Sequence, residues 1–228
     1  MSADDQKRRA GEAAALRVEP GMVVGLGTGS TAAWFVKALA ARGLKDLRCV
    51  PTSERTADLA RELGLMLSTL DDTPRIDLTV DGADEIGPGL ALIKGGGAAL
   101  LREKLVWEAS KSCIVIADAA KVVPVLGQFA LPIEVVAFGH KTTANRIADV
   151  LLDHEIGMPA SLRQADRALV RTDGGNLIYD AACQAIHDPV RLADDLKLIT
   201  GVVEHGLFLD LADEAIIGQD SGVEILLP

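Results

Sequence analysis

Four short segments hold residue types and spacings suited to chemistry on a small anion. The first is Gly25-Leu26-Gly27-Thr28-Gly29-Ser30-Thr31. Its glycines let backbone approach a ligand closely, and a helix opening at its end offers unpaired N–H groups to negative charge. Thr28, Ser30 and Thr31 add hydroxyl donors. Ser30 stands where a dinucleotide fingerprint needs its third glycine, and no Gly-Lys-Ser/Thr follows, so a small phosphate fits better than NAD or ATP. A tight strand-to-helix turn, capped by Ser30 or Thr31, is the purely structural alternative. The second segment, Asp81-Gly82-Ala83-Asp84-Glu85, crowds carboxylates that need hydrogen-bond donors or cations nearby. A solvated acidic turn and a magnesium site are its competing readings.

The third is Lys94-Gly95-Gly96-Gly97, leading into a helix that contains Glu103. Ordering a glycine costs on the order of 1 kcal/mol relative to alanine, so three in a row point to unusual backbone angles or a close approach. They form a second candidate cradle of N–H groups, with a lysine at its mouth. On spacing alone Glu103, between Arg102 and Lys104, reads as a surface carboxylate with a salt-bridge partner. The fourth is Lys121, after the apolar run 113–117 and Asp118. Lys7, Arg8 and Arg9 near the start read as exposed, with contact to an anion as the alternative.

These residues need a frame. Short apolar runs at 22–25, 47–50, 76–80, 90–93 and 113–117 alternate with helical stretches at 31–41, 53–63 and 98–109. That alternation predicts an α/β fold, a mostly parallel sheet with helices on both faces, with the candidate residues past the carboxyl ends of strands. After Pro124 the order becomes strand 133–138, helix 142–152, a hairpin from 168–171 to 177–181 about the turn 173–176, helix 190–199 and strand 202–208. This is the order of a smaller, ferredoxin-like α+β domain. The apolar pieces 214–217 and 223–227 then return to the first sheet. The expected division is a discontinuous first domain, 1–129 with 207–228, and an inserted domain, 130–206.

Composition narrows the function classes. The 228 residues carry 23 Lys and Arg against 33 Asp and Glu, a net charge of −10, and only 3% are aromatic. Nucleic acid, which calls for basic stripes and stacking rings, is not an expected partner. No run approaches the ~18 apolar residues of a membrane span, and the opening segment lacks the apolar centre of a secretory signal. Cys49, Cys113 and Cys183 are scattered, with no metal-type spacing among them or the histidines. A cytoplasmic setting and no bound metal are expected.

Taken together, GLGTGSTA (25–32), DGADEI (81–86), KGGGAAL with LREK (94–104) and IADAAK (116–121) closely resemble the A type of ribose-5-phosphate isomerase. GNLIYD (175–180) and GVVEHGLF (201–208) also match, so the resemblance spans nearly the whole chain. It implies metal-independent interconversion of ribose 5-phosphate and ribulose 5-phosphate through a cis-enediolate, with no cofactor. It implies that Glu103 is the proton acceptor, with Asp81 and Lys94 also catalytic. It places substrate at Thr28, Gly29, Ser30, Thr31, Asp81, Gly82, Ala83, Asp84, Lys94, Gly95, Gly96, Gly97 and Lys121. It also implies a homodimer or homotetramer. Three rivals fit less well. A sugar-phosphate sensor lacks room for a DNA-binding element, a CoA transferase would use its glutamate as a nucleophile, and a nicotinamide dehydrogenase needs an intact fingerprint.

Overall fold

A computed structural model describes residues 2–228. The chain divides into two compact units. The first contains everything up to Ala83, then Arg102–Val122 and Asp210–Pro228; the second contains Asp84–Leu101 and Val123–Leu209.

The first unit opens with helix α1 (Ala3–Ala15), started by a reciprocal cap between Ser2 and Asp5. Strand β1 (Val23–Leu26), helix α2 (Ser30–Ala41), strand β2 (Arg48–Pro51), helix α3 (Glu54–Glu62) and strand β3 (Leu78–Gly82) follow. The chain then supplies β4 (Glu85–Ile86) and β5 (Leu92–Ile93) to the second unit. It returns through helix α4 (Leu100–Glu108) to strand β6 (Cys113–Asp118). Much later, β14 (Glu214–Gln219) and β15 (Gly222–Leu226) complete a six-stranded sheet of order β15-β14-β6-β3-β1-β2. All neighbours are parallel except β14 and β15. β1 lies between β2 and β3, so the connections leaving β1 and β3 diverge there, and open α/β sheets bind ligands at such a switch point. Val24, Leu26, Val80, Ile114, Ile116 and Ile216 are buried in the sheet core, with Phe35 and Leu39 of α2 beside them.

The second unit runs β7 (Leu131–Val135), α5 (His140–Asp153), β8 (Ser161–Leu162), β9 (Gln164–Ala165), β10 (Ala168–Leu169), β11 (Leu177–Ala181), α6 (Pro189–Lys197), β12 (Val202–His205) and β13 (Leu207–Phe208). Its antiparallel sheet has the order β12-β7-β11-β8, the arrangement of a ferredoxin-like unit. Leu131, Ile133 and Val135 point to one face with Ile147 and Leu151 of α5 and Leu192 and Leu196 of α6. The alternation of β7 leaves Pro132 and Glu134 on the other face. A small third sheet joins β13, β5 and β4.

The expected hairpin across 173–176 is not formed as a strand pair. Arg171 and Leu177 share a single bridge, while Ala168–Leu169 pairs with Gln164–Ala165 and β11 pairs with β7 and β8. The final strand also splits, its second piece joining the third sheet.

All three cysteines are free and buried. Burial pushes the Cys49 thiol up to about 12 and the Cys183 thiol up to about 11. Below the ordinary thiol range both folded and unfolded chains keep the Cys49 proton. Above it only the unfolded chain loses the proton, so stability falls as pH climbs towards about 12. Denaturant midpoints measured across that window should fall, and a Cys49→Val variant should flatten the slope. Unfolding should also be required before Ellman's reagent reacts with either thiol; fast reaction of the native protein would contradict this burial.

Candidate active site

In the first unit the turn after β1 is held by its neighbours before any ligand arrives. The Gly27 N–H donates to the Val80 carbonyl at 3.0 Å, which keeps the end of β1 against β3. Asp81, fully buried, accepts on one oxygen from the N–H of Thr28 at 2.9 Å and of Gly82 at 2.7 Å. The Thr28 hydroxyl is also turned inward. It meets the hydroxyls of Thr52 at 2.7 Å, Ser53 at 2.8 Å and Thr56 at 3.2 Å, and Thr56 donates to the Gly27 carbonyl at 3.0 Å. Thr28 therefore shapes the turn instead of offering the outward hydroxyl its type suggested. Gly29, at φ 120°, precedes α2. Ser30 is exposed and Thr31 half-buried at the start of that helix, where the first N–H groups lack intrahelical partners.

Lys7 belongs to this turn, although its basic run reads as exposed surface. Its Nζ donates to the Ser30 hydroxyl at 3.2 Å. Gly11, on the same face of α1 as Lys7, permits this. A Cβ there would lie 2.7 Å from the Phe35 nitrogen, so only glycine lets α1 and α2 come so close. Arg9 instead donates to the carbonyls of Gln219 and Asp220, and Arg8 pairs with Asp5 and Glu12 on the surface. Lys121 sits half-buried in a short turn beyond β6, opened by Asp118 accepting from the Ala120 N–H.

Glu103 overturns the surface reading: it is 3% exposed. The surface role falls to Arg102, which pairs with Glu54 at 2.9 Å and holds its carboxyl below the usual range, chiefly through that hydrogen bond. Helix α4 is seated by Val106, one turn after Glu103 and on the same face. Val106 packs with Val50 and Ile76, and a Cβ on Gly25 would stand 2.9 Å from it. Bare backbone at Gly25 thus lets the helix carrying Glu103 lie directly on β1.

In the second unit the crowded acids separate by task. Glu85 accepts from the N–H of Gly127 at 2.7 Å and of Phe129 at 2.5 Å, and so anchors a loop. Asp84 accepts from the Gly96 N–H at 2.8 Å. Lys94 is 1% exposed, with its Nζ 5.4 Å from the centroid of the Phe208 ring. Its N–H donates to the Gly206 carbonyl at 2.9 Å, and a Cβ at Gly206 would lie 2.3 Å from the Lys94 oxygen. Cation–aromatic attraction and this backbone contact fix the lysine from below. Gly95 has φ 103°, and a Cβ there would press on Leu100 at 3.0 Å and Pro132 at 3.3 Å. Gly97 is exposed. Among the described residues, no cluster of three or more His, Cys, Asp or Glu could hold a metal ion, and no helix is long and apolar enough to cross a membrane.

A sequence profile for ribose 5-phosphate isomerase A (phosphoriboisomerase A) matches residues 48–222. Ribose-5-phosphate isomerase A of Caulobacter vibrioides is 71% identical over 228 residues, covering all of both chains. The protein of the same name from Parvibaculum lavamentivorans is 52% identical over 99% of each. Among solved structures, a D-ribose-5-phosphate isomerase in complex with phospho-erythronic acid superposes over the whole of both chains with TM-score 0.93 and 40% identity. Ribose 5-phosphate isomerase from Plasmodium falciparum does so over 99% of each with TM-score 0.92 and 36% identity. Fold, turn and likeness over the full length together define an α/β isomerase. More narrowly, the chain belongs to the ribose-5-phosphate isomerase A family.

Proposed function

We propose that this isomerase interconverts D-ribose 5-phosphate and D-ribulose 5-phosphate through a cis-enediolate, with Glu103 as proton acceptor. The observation that carries the reading is a carboxylate 3% exposed near the start of a helix laid on β1, in a chain of this family. A proton next to a carbonyl is weakly acidic, so its removal needs a positioned base and a stabilised oxyanion. In the open-chain aldose, Glu103 takes the C2 proton and the electron pair moves through C1 onto the carbonyl oxygen. The proton then returns from Glu103 to C1, while the C2 hydroxyl proton passes to the C1 oxygen, directly or through Asp81, leaving a C1 hydroxyl and a C2 ketone. Lys94 and the N–H groups of Gly95 and Gly97 offset the charge that builds on the two enediolate oxygens, while the Gly96 N–H stays on Asp84. Asp81 exchanges protons with sugar oxygens or assists ring opening, and Asp84 is a further substrate contact.

The turn 28–31, with Lys7 on Ser30 and with Lys121, receives the phosphate. Phosphate binding then orients the reacting end from a distance. The ligand named for one solved relative supports this reading. A phosphorylated four-carbon acid ends in a planar, negative pair of oxygens, the shape and charge of a cis-enediolate.

Ribose 5-phosphate incubated with the protein in D₂O and excess EDTA, followed by NMR, tests the whole reading. Ribulose 5-phosphate should appear with deuterium at C1, diluted where the abstracted proton is returned before exchange. Failure to form the ketose would remove the substrate. Activity abolished by the chelator would replace the metal-independent route, and strictly retained hydrogen at every stage would point to hydride transfer.

A further inference from the structure

GNLIYD (175–180) matches the family yet holds none of the residues given a role above, and the structure supplies one. Asp180, in β11, receives Arg163 through both oxygens, Nε to Oδ2 at 2.8 Å and Nη2 to Oδ1 at 2.5 Å. The two side chains are only 14% and 23% exposed. The remaining nitrogen, Nη1, donates to the carbonyls of Gly95 at 2.8 Å and Gly96 at 3.2 Å. A guanidinium is planar with its donors in a fixed fork, so pairing one edge with Asp180 aims the other.

A peptide is planar and trans, so fixing the Gly95 carbonyl turns the Gly96 N–H the opposite way, and fixing the Gly96 carbonyl does the same for Gly97. The Gly96 N–H does point away, to Asp84. Gly95, at φ 103°, has little backbone preference of its own. The Gly95 carbonyl also accepts from the Ala98 N–H at 3.0 Å, so the contribution of the arginine falls chiefly on the Gly96–Gly97 peptide.

We infer that Arg163, locked by Asp180, is a positioning residue for the isomerisation: through the two carbonyls it keeps the Gly96 N–H on Asp84 and turns the Gly97 N–H towards the charge developing on the substrate. The inference rests on the role proposed above for that glycine segment. Residues that orient a contacting group typically change activity 10–100-fold when removed, in the best-studied case of metal ligands.

The test uses the full-length protein, Arg163→Ala and Arg163→Lys, and two probes assayed for competition with ribose 5-phosphate: 4-phospho-erythronate, chosen as an enediolate-shaped acid, and inorganic phosphate. Inhibition constants do not depend on the fraction of protein that is folded, so a merely structural role leaves them unchanged. Arg163→Ala should lower kcat about 10–100-fold and raise the inhibition constant of 4-phospho-erythronate by a similar factor. That of phosphate should stay within about twofold, because phosphate alone needs no enediolate cradle. Arg163→Lys, which cannot form the fork and reach both carbonyls, should recover only part of the loss, and it carries the test where the alanine variant does not fold. An unchanged constant for 4-phospho-erythronate, or constants for both inhibitors rising together, overturns the inference. An unaltered protein without isomerase activity fails earlier and takes the proposed function with it.

Discussion

Glu103→Gln should lower turnover of ribose 5-phosphate by ~10²–10⁴-fold while leaving KM within about threefold. The substitution keeps volume and hydrogen-bonding shape but removes the ability to take a proton, so its effect falls on the chemical step. In activation free energy the loss is about 3–5 kcal/mol. Val106, packed with Val50 and Ile76 over Gly25, is untouched by the substitution and keeps α4 on β1. Arg102→Ala is the matched control. It removes the neighbouring charge and its exposed pair with Glu54, and should leave turnover near normal. Steady-state kinetics with thermal melts on both variants decide the matter. Near-normal turnover by Glu103→Gln would take Glu103 out of the mechanism.

Much of this site is legible in the sequence because glycines and acids mark strand ends. The turn after β1, Asp81 at the end of β3 and the ferredoxin-like order after Pro124 follow from periodicity and turn residues alone. Glu103 does not, because its neighbours Arg102 and Lys104 make the helix look solvated, although Lys104 is itself 8% exposed. Strands β4 and β5 are two residues each, too short to alternate, and their sheet is completed by β13, more than a hundred residues later. Nothing local therefore assigns 84–101 to the second unit. The expected hairpin departs from the structure for a related reason. Asp173-Gly174-Gly175-Asn176 signals a reversal without naming the strand partners, while the true β9–β10 reversal uses Asp166 and Arg167 at φ 50° and 67°. Those angles ordinarily call for Asn and Gly, so the second residue gave no warning. The basic neighbours of Lys7 mask it in the sequence. Gly11 at the helical spacing is the sequence signal that marks it, a contact made by removing a side chain.

The most severe effect on the turn after β1 is expected from a single methyl group. In Gly27→Ala the new Cβ would lie 2.1 Å from the Asp81 Oδ1, 2.3 Å from its carboxyl carbon and 2.5 Å from its Cα. A rotamer change could move the carboxylate, but the Cα is backbone, so β1 and β3 must separate where the Gly27 N–H meets the Val80 carbonyl. Moving Asp81 also strips the Thr28 and Gly82 N–H groups of their acceptor. Overpacking in a tight interior typically costs about 1–3 kcal/mol, occasionally more, and the lost hydrogen bonds add to it. Denaturant unfolding should therefore show a loss at or above that range, with KM for ribose 5-phosphate raised at least about tenfold in whatever protein still folds. Gly29→Ala separates sterics from conformation. Its Cβ would meet nothing within 4 Å, yet φ 120° is strained for any side chain, at about 1–3 kcal/mol. It should lose stability without displacing Asp81, and so keep turnover at saturating substrate. If Gly27→Ala unfolds and binds like the parent, β1 and β3 do not close on each other at this point, and the turn after β1 must be built in some other way.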